Sequence, residues 1–274
     1  MAQVTLLSQP TSYTNSIGME FVLIRAGHMT VGRFQPPYPT PFDTTKGVDH
    51  RMIMWMGDEG SRGYNAEEFR LAEEIALKDA LPGFDVSIPY SYYIGKFEVT
   101  QSQWKKVMGT NPSVFHQDTL SDVDQHPVES VTWNDAKKFI AKLNQLEGKN
   151  IYRLPTEFEW EYAARGGRKE DIPWERIRET AQLGTMTTQK VGKKKPNEYG
   201  IYDMLGNVWE WVEDFYNEKI FADPIPPAQG RQHVLKGASF TGDVKNATYM
   251  THAGGPGNGW DVGFRVLMMV ENKK

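Results

Sequence analysis

Apolar positions along this chain fall into short runs of two kinds. Residues 17–32, Ile17-Gly-Met-Glu-Phe-Val-Leu-Ile-Arg-Ala-Gly-His-Met-Thr-Val-Gly, predict a strand, a glycine turn and a second strand, and Tyr92 to Val99 predict another. Other runs carry the helical period. Phe69, Ala72, Ile75, Ala76 and Ala80 recur along 66–81, with Asn65 placed to cap and Pro82-Gly83 to stop the helix. Three more helix starts share one signature: Thr100-x-x-Gln103, Thr132-x-x-Asp135 and Thr156-x-x-Glu159. Each sets a hydroxyl three residues before an amide or carboxylate, so the two side chains can satisfy each other's backbone N–H groups. After Thr132, Ala136, Phe139, Ile140, Leu143 and Leu146 form the buried stripe, and Gly148 ends it. Beyond Trp174 the pattern predicts mostly loops, with short strands at 208–212, 233–240 and 262–270. Residues 33–64, with Pro36-Pro37-Tyr38-Pro39-Thr40-Pro41, predict irregular chain. Strands and helices do not alternate, which excludes a Rossmann or TIM fold and leaves an α+β class in a single domain.

Composition narrows the function. The 274 residues contain no cysteine, which removes disulfides, zinc–thiolate sites and cysteine nucleophiles, and fits cytoplasm or periplasm alike. A formal net charge of −4 disfavours a nucleic-acid backbone binder, which needs a basic face. No run of 18 apolar residues predicts a membrane span, and the segment from Met1 to Ser8 lacks the form of a signal peptide. The compartment stays open between cytoplasm and, after signal removal, periplasm or exterior.

Several motifs then carry a resemblance. Gly18-Met-Glu-Phe-Val-Leu-Ile, Tyr93-Ile-Gly-Lys-Phe-Glu-Val-Thr and His126-Pro-Val-Glu-Ser-Val-Thr-Trp-Asn-Asp-Ala come first. Arg153-Leu-Pro-Thr-Glu-Phe-Glu-Trp-Glu, Gly206-Asn-Val-Trp-Glu-Trp, Leu235-Lys-Gly-Ala-Ser-Phe and Gly263-Phe-Arg-Val follow in order. Together they resemble the formylglycine-generating-enzyme family, or sulfatase-modifying-factor domains. That resemblance implies a C-type-lectin-like fold with little regular secondary structure. Family members that make formylglycine hold copper with two cysteines just after a Gly-Gly-Ser-Tyr segment. Here that segment is Gly237-Ala-Ser-Phe240, and the two thiol positions fall at Gly242 and Ala247. Cu(I) needs soft ligands, so no copper is held through cysteine and formylglycine is not made by that chemistry. The resemblance also implies one structural calcium, held by the side chains of Asp203 and Glu210 and the carbonyls of Gly206 and Val208, a donor set that suits a hard cation. Residues 33–90 depart most from the family and form an atypical insertion, expected to lie beside 239–262 and reshape the groove there.

The region 239–262 would line the family's pocket. His252, Asp243, Asp261 and Ser239 are the candidate catalytic residues. A lone histidine is more often structural, but a carboxylate from Asp243 or Asp261 would orient the imidazole as a general base. Phe240, Tyr249, Asn258 and Trp260 are candidate ligand-binding residues, since pockets pair aromatic walls with a few polar groups. His126, and a buried network of Arg153 with Glu157, are expected to be structural. Trp104, Trp133, Trp160, Trp209 and Trp211 are expected in the core. Two functional readings stay open: cysteine-independent oxidative tailoring of a peptide or small molecule, as a family branch acting in pyoverdine maturation suggests, or a non-catalytic module binding a peptide or other ligand. A structural part in a surface assembly is a third.

Overall fold

The computed structural model describes residues 10–32, 83–116, 120–169, 174–221, 224–242, 247–255 and 257–270. The strands are β1 (Ser12–Thr14), β2 (Glu20–Ile24), β3 (Gly27–Val31), β4 (Phe84–Ile88), β5 (Tyr92–Gly95) and β6 (Tyr152–Arg153), then β7 (Trp209–Phe215), β8 (His233–Lys236), β9 (His252–Gly254), β10 (Val262–Phe264) and β11 (Leu267–Met269). The helices are α1 (Gln101–Met108), α2 (Trp133–Glu147), α3 (Glu157–Arg165) and α4 (Trp174–Thr180), with a 3-10 turn at Val123–Gln125. Mixed helix and sheet in short pieces match the α+β class.

All three threonine boxes form with both reciprocal bonds, including the aspartate version at Thr132, and each of these helices stops at a left-handed glycine. In α2, Ala136, Phe139, Ile140 and Leu143 are buried; Leu146 is 57% exposed, contrary to its expected place in the stripe. It lies in the last turn of the helix, beyond the last buried position, Leu143. Helix α4 was not expected. Its Trp-Glu-Arg-Ile-Arg-Glu-Thr sequence has two apolar residues, Trp174 and Ile177, too few to show a period. The helix expected over 66–81 lies outside the described residues.

Two sheets share the core. One runs β1-β2-β5-β11-β6; the other runs β10-β7-β8-β9. Trp104 stacks on Phe139 at 5.4 Å and meets Phe264 edge-on, tying α1 and α2 to the second sheet. β3 and β4 form an antiparallel hairpin from Gly27↔Ile88 to Val31↔Phe84, and residues 33–82 leave from its open end. The hairpin packs with Ile220 and Phe221, alongside Met250. Of the insertion expected at 33–90, residues 33–82 lie outside the described residues.

Candidate functional site

The order β10-β7-β8-β9 decides which candidate residues can cooperate. Gly263 pairs with Glu210, Glu210 with Lys236, and Lys236 with His252, so these four lie in one row across the sheet. His252 is on one edge and Asp261, just before β10, is at the other. Three strand spacings separate those edges, about 14 Å. The expected His252–Asp261 pairing is therefore not made. Asp243 lies outside the described residues.

His252 belongs to a buried polar seam under α3. Its Nδ1 approaches Glu157 Oε1 to 3.1 Å, though the alignment is too poor for a hydrogen bond. Lys236 is wholly buried, with Nζ 3.3 Å from Glu161 Oε2 and 3.7 Å from Glu157 Oε1. That ammonium also sits over the rings of Trp160 at 5.6 Å and Phe221 at 5.7 Å. Glu161 is held in turn by Arg165, whose guanidinium lies over buried Tyr249. Tyr249 is thus buried in the core, where it also lines a small cavity with Ala164, Met204 and Leu205, away from the Trp260 face. Arg153 pairs with Glu159 and not with Glu157, a correction to the expected network. Two positions along a helix turn the side chain by about 200°, so Glu157 faces the seam and Glu159 the opposite side. His126 is structural: it meets Thr188 Oγ1 at 3.0 Å, and burial with Lys193 and Lys190 nearby lowers it to about 4.

Asp214 accepts the N–H of Glu157 at the start of α3. Burial, with Glu157 and Glu159 close by, pushes it up to about 6. Between pH 4 and 6 the native chain then binds more protons here than the unfolded chain, so this group's contribution to stability falls as pH rises. Asp214→Asn removes that slope. Urea unfolding is expected to show the variant gaining roughly 1–2 kcal/mol relative to wild type between pH 4 and 7, with no further change above. A flat difference would show that Asp214 is not held protonated.

At the other edge, Ser239, Phe240, Trp260 and Asp261 do come together. Ser239 Oγ donates to Asp261 Oδ2 at 2.7 Å and lies 2.9 Å from Thr241 Oγ1. Phe240 is buried beneath Trp260, ring centroids 5.3 Å apart, and Phe115 completes an edge-to-face trio at 5.5 and 6.0 Å. Trp260 is 49% exposed, Val114 51% and Met186 89%. Met186 follows Thr185, whose N–H is bonded to the Phe240 carbonyl. Buried Glu129 fixes the Phe115 loop, accepting N–H bonds from Val114 and Phe115 and a hydroxyl from Ser130. Asn258 is exposed beside this face. Phe115, Glu129, Thr241 and Met186 were missed as site residues. Glu129 sits inside the quoted His126 motif; Phe115 and Met186 carry no periodic signal at all.

The positions matching the family thiols have little room. A Cβ on Gly242 would lie 2.9 Å from the Ser239 carbonyl, and Ala247 is wholly buried among apolar side chains.

Asp203, Gly206, Val208 and Glu210 share one loop and strand start, but the donor set is already engaged. Both oxygens of Glu210 bond Arg265, at 2.6 and 2.7 Å, and Oε2 also accepts the Trp160 indole N–H. Asp203 Oδ2 accepts the Gly192 N–H, and burial raises its pKa to about 6. Among the described residues no group of three His, Asp or Glu side chains is placed to hold a metal. As it stands, Arg265 supplies the positive charge at Glu210, and the arrangement does not fit a calcium ion. Calcium binding here requires Arg265 to release Glu210, which thermal unfolding tests. With the ion pair intact, neither calcium nor chelator is expected to move Tm; a chelator-sensitive Tm would show that the ion displaces Arg265.

A C-type-lectin-like scaffold, with short strands and an aromatic face at one sheet edge, is the class this architecture defines. Residues 17–270 match the sulfatase-modifying factor enzyme 1-like domain, and the chain belongs to that family. It is similar to the chaperone protein LppX of Paenibacillus barcinonensis, 32% identical over 264 residues covering 74% of this chain and 89% of that protein. It is also 32% identical over 200 residues to the formylglycine-generating enzyme of Streptomyces coelicolor, covering 64% of this chain and 60% of that enzyme. Two solved structures share the fold, each covering 96% of this chain and all of the other. Treponema denticola variable protein 1 has a TM-score of 0.70 at 24% identity, and PvdO from Pseudomonas aeruginosa 0.68 at 21%. Lacking cysteine, this member is not a formylglycine generator of the usual kind. No described helix is long and apolar enough to cross a membrane.

Proposed function

We propose that this chain is a polypeptide-binding module that uses the Trp260 face without turning its ligand over. The observation that carries the reading is the half-exposed Trp260, standing on Phe240 and Phe115 beside the Ser239–Asp261 pair. Rigid aromatic anchors of this kind supply most of the affinity in protein recognition. The oxidative reading placed a general base at the same face, and His252 stands at the opposite edge of the sheet. A relative named as a chaperone protein, aligned over 74% of this chain, supports binding of unfolded or extended polypeptide.

Incubation with a panel of immobilised synthetic peptides tests this, with binding read by fluorescence and peptide mass read afterwards. Bound peptides of unchanged mass are expected, and Trp260→Ala is expected to weaken binding roughly thirtyfold, the effect of losing an anchor worth about 2 kcal/mol. A mass change in the peptides, or binding indifferent to Trp260→Ala, would overturn the proposal.

A further inference from the structure

The chemistry around Trp260 narrows what such a polypeptide must offer. Among the described residues, one oxygen of Asp261 is engaged and the other has no partner. Oδ2 accepts the Ser239 hydroxyl, which Thr241 steadies. The main-chain carbonyl of Asp261 accepts the Trp209 N–H, so the residue is pinned at both ends. Oδ1 faces Gly259: a Cβ there would lie 2.8 Å from it and 2.8 Å from Val262 Cγ2. Glycine at 259 therefore leaves that oxygen approachable where any side chain would cover it.

Charge points the same way. Segments 113–116, 129–130, 185–188, 239–242 and 257–261 contain no lysine or arginine. Among the described residues neither Asp261 nor Glu129 makes an ion pair, unlike Glu159, Glu161 and Glu210. Glu129 is buried on three uncharged donors, so a second acidic group stands behind the aromatic trio. His116, which follows Phe115, is the one basic side chain in these segments. The face thus combines an unpaired carboxylate oxygen with the π-surface of a half-exposed indole. Both attract a cation, and an ammonium or guanidinium on an aliphatic stem can reach both while its methylenes cover the ring.

We infer that the Trp260 face recognises a cationic side chain of its polypeptide ligand, lysine or arginine, with the charged head at Asp261 Oδ1 and the stem across Trp260. This rests on the peptide-binding reading above and names its specificity.

Fluorescein-labelled heptapeptides Gly-Ser-Leu-Xaa-Phe-Ser-Gly, with Xaa lysine, arginine, norleucine or glutamate, separate the two by anisotropy. The lysine and arginine peptides are expected to bind at least about tenfold more tightly than the norleucine peptide, with the glutamate peptide weakest. That advantage should shrink with added salt, because the pair is partly exposed. Asp261→Asn keeps an acceptor for Ser239 and removes the charge. It is expected to bring the lysine and norleucine peptides to the same affinity, while Trp260→Ala weakens both. Equal binding of lysine and norleucine peptides to the wild type, with both lost in Trp260→Ala, would overturn the cation inference and keep the binding module. Binding of no peptide, or binding that Trp260→Ala leaves untouched, would overturn both. The salt titration uses the wild type alone, so the inference stays testable if Asp261→Asn folds poorly.

Discussion

Replacing Arg265 by alanine is expected to cost about 3–5 kcal/mol of stability, the range for stranding one half of a buried ion pair. Arg265 is fully buried, and its guanidinium satisfies more than Glu210. Nη1 donates to the Gly95 carbonyl at 2.9 Å, and Nη2 to the Tyr202 carbonyl at 3.0 Å and, longer, to that of Asp203. One side chain therefore ties β10 to the end of β5 and to the 202–203 turn. Its loss also leaves Glu98, Asp203 and Glu210 together, with Lys194 near Asp203 as the remaining counter-charge among the described residues. Burial, reinforced by Asp203 and Glu210, already holds Glu98 well above the usual carboxylate range. Arg265→Lys is expected to recover little, because a single ammonium cannot reproduce the fork that spans Glu210 and three carbonyls. Urea midpoints at constant m-value would measure both variants. A loss below 1 kcal/mol for Arg265→Ala would mean that water replaces the guanidinium.

Lys236→Met is the second large effect, expected at roughly 3 kcal/mol. Methionine matches the length of lysine and keeps the contact with Trp160 and Phe221, so the loss reports the charge rather than a cavity. Glu161 retains Arg165 as its partner; Glu157 does not, and its Oε1 is left facing only the poorly aligned His252 Nδ1. The double variant Lys236→Met, Glu157→Gln removes that stranded charge and is expected to regain about half of the loss. No recovery would place the cost elsewhere than Glu157. Because Lys236 stands on β8, two strands from β10 and the Trp260 face, folded single and double variants are expected to bind peptide like the wild type.

Local rules were legible in the chain and distant ones were not. The capping boxes need only four consecutive residues, so Thr100, Thr132 and Thr156 could be read directly, aspartate version included. The four buried positions of α2 follow from one helical period. Helix α4 escaped because a seven-residue element with two apolar residues is too short to show a period. The pairing of candidate residues failed for a topological reason. His252 and Asp261 are nine residues apart, which looks close in sequence, yet the glycine-rich segment between them carries the chain from β9 across to β10. In contrast, Ser239 and Asp261 are separated by the whole of β9 and meet because β8 is followed by Gly237-Ala238, whose left-handed backbone turns the chain towards the other edge. Spacing along a chain says little about neighbours when strands cross a sheet out of order.

That ordering bears on how the chain is made. β11, at Leu267–Met269, is the last strand in sequence, yet it stands inside the first sheet, bonded to β5 on one side and β6 on the other. A nascent chain emerging from the ribosome cannot join β6 to β5 until residue 269 is free of the exit tunnel. Until then the β5 and β6 edges that β11 pairs stay open, so the first sheet closes late, as expected when the defining contacts are far apart in sequence. Truncation just ahead of residue 267 is a sharper test of viability than loss of many residues from β1, which sits at the outer edge of the same sheet and can fray without opening it.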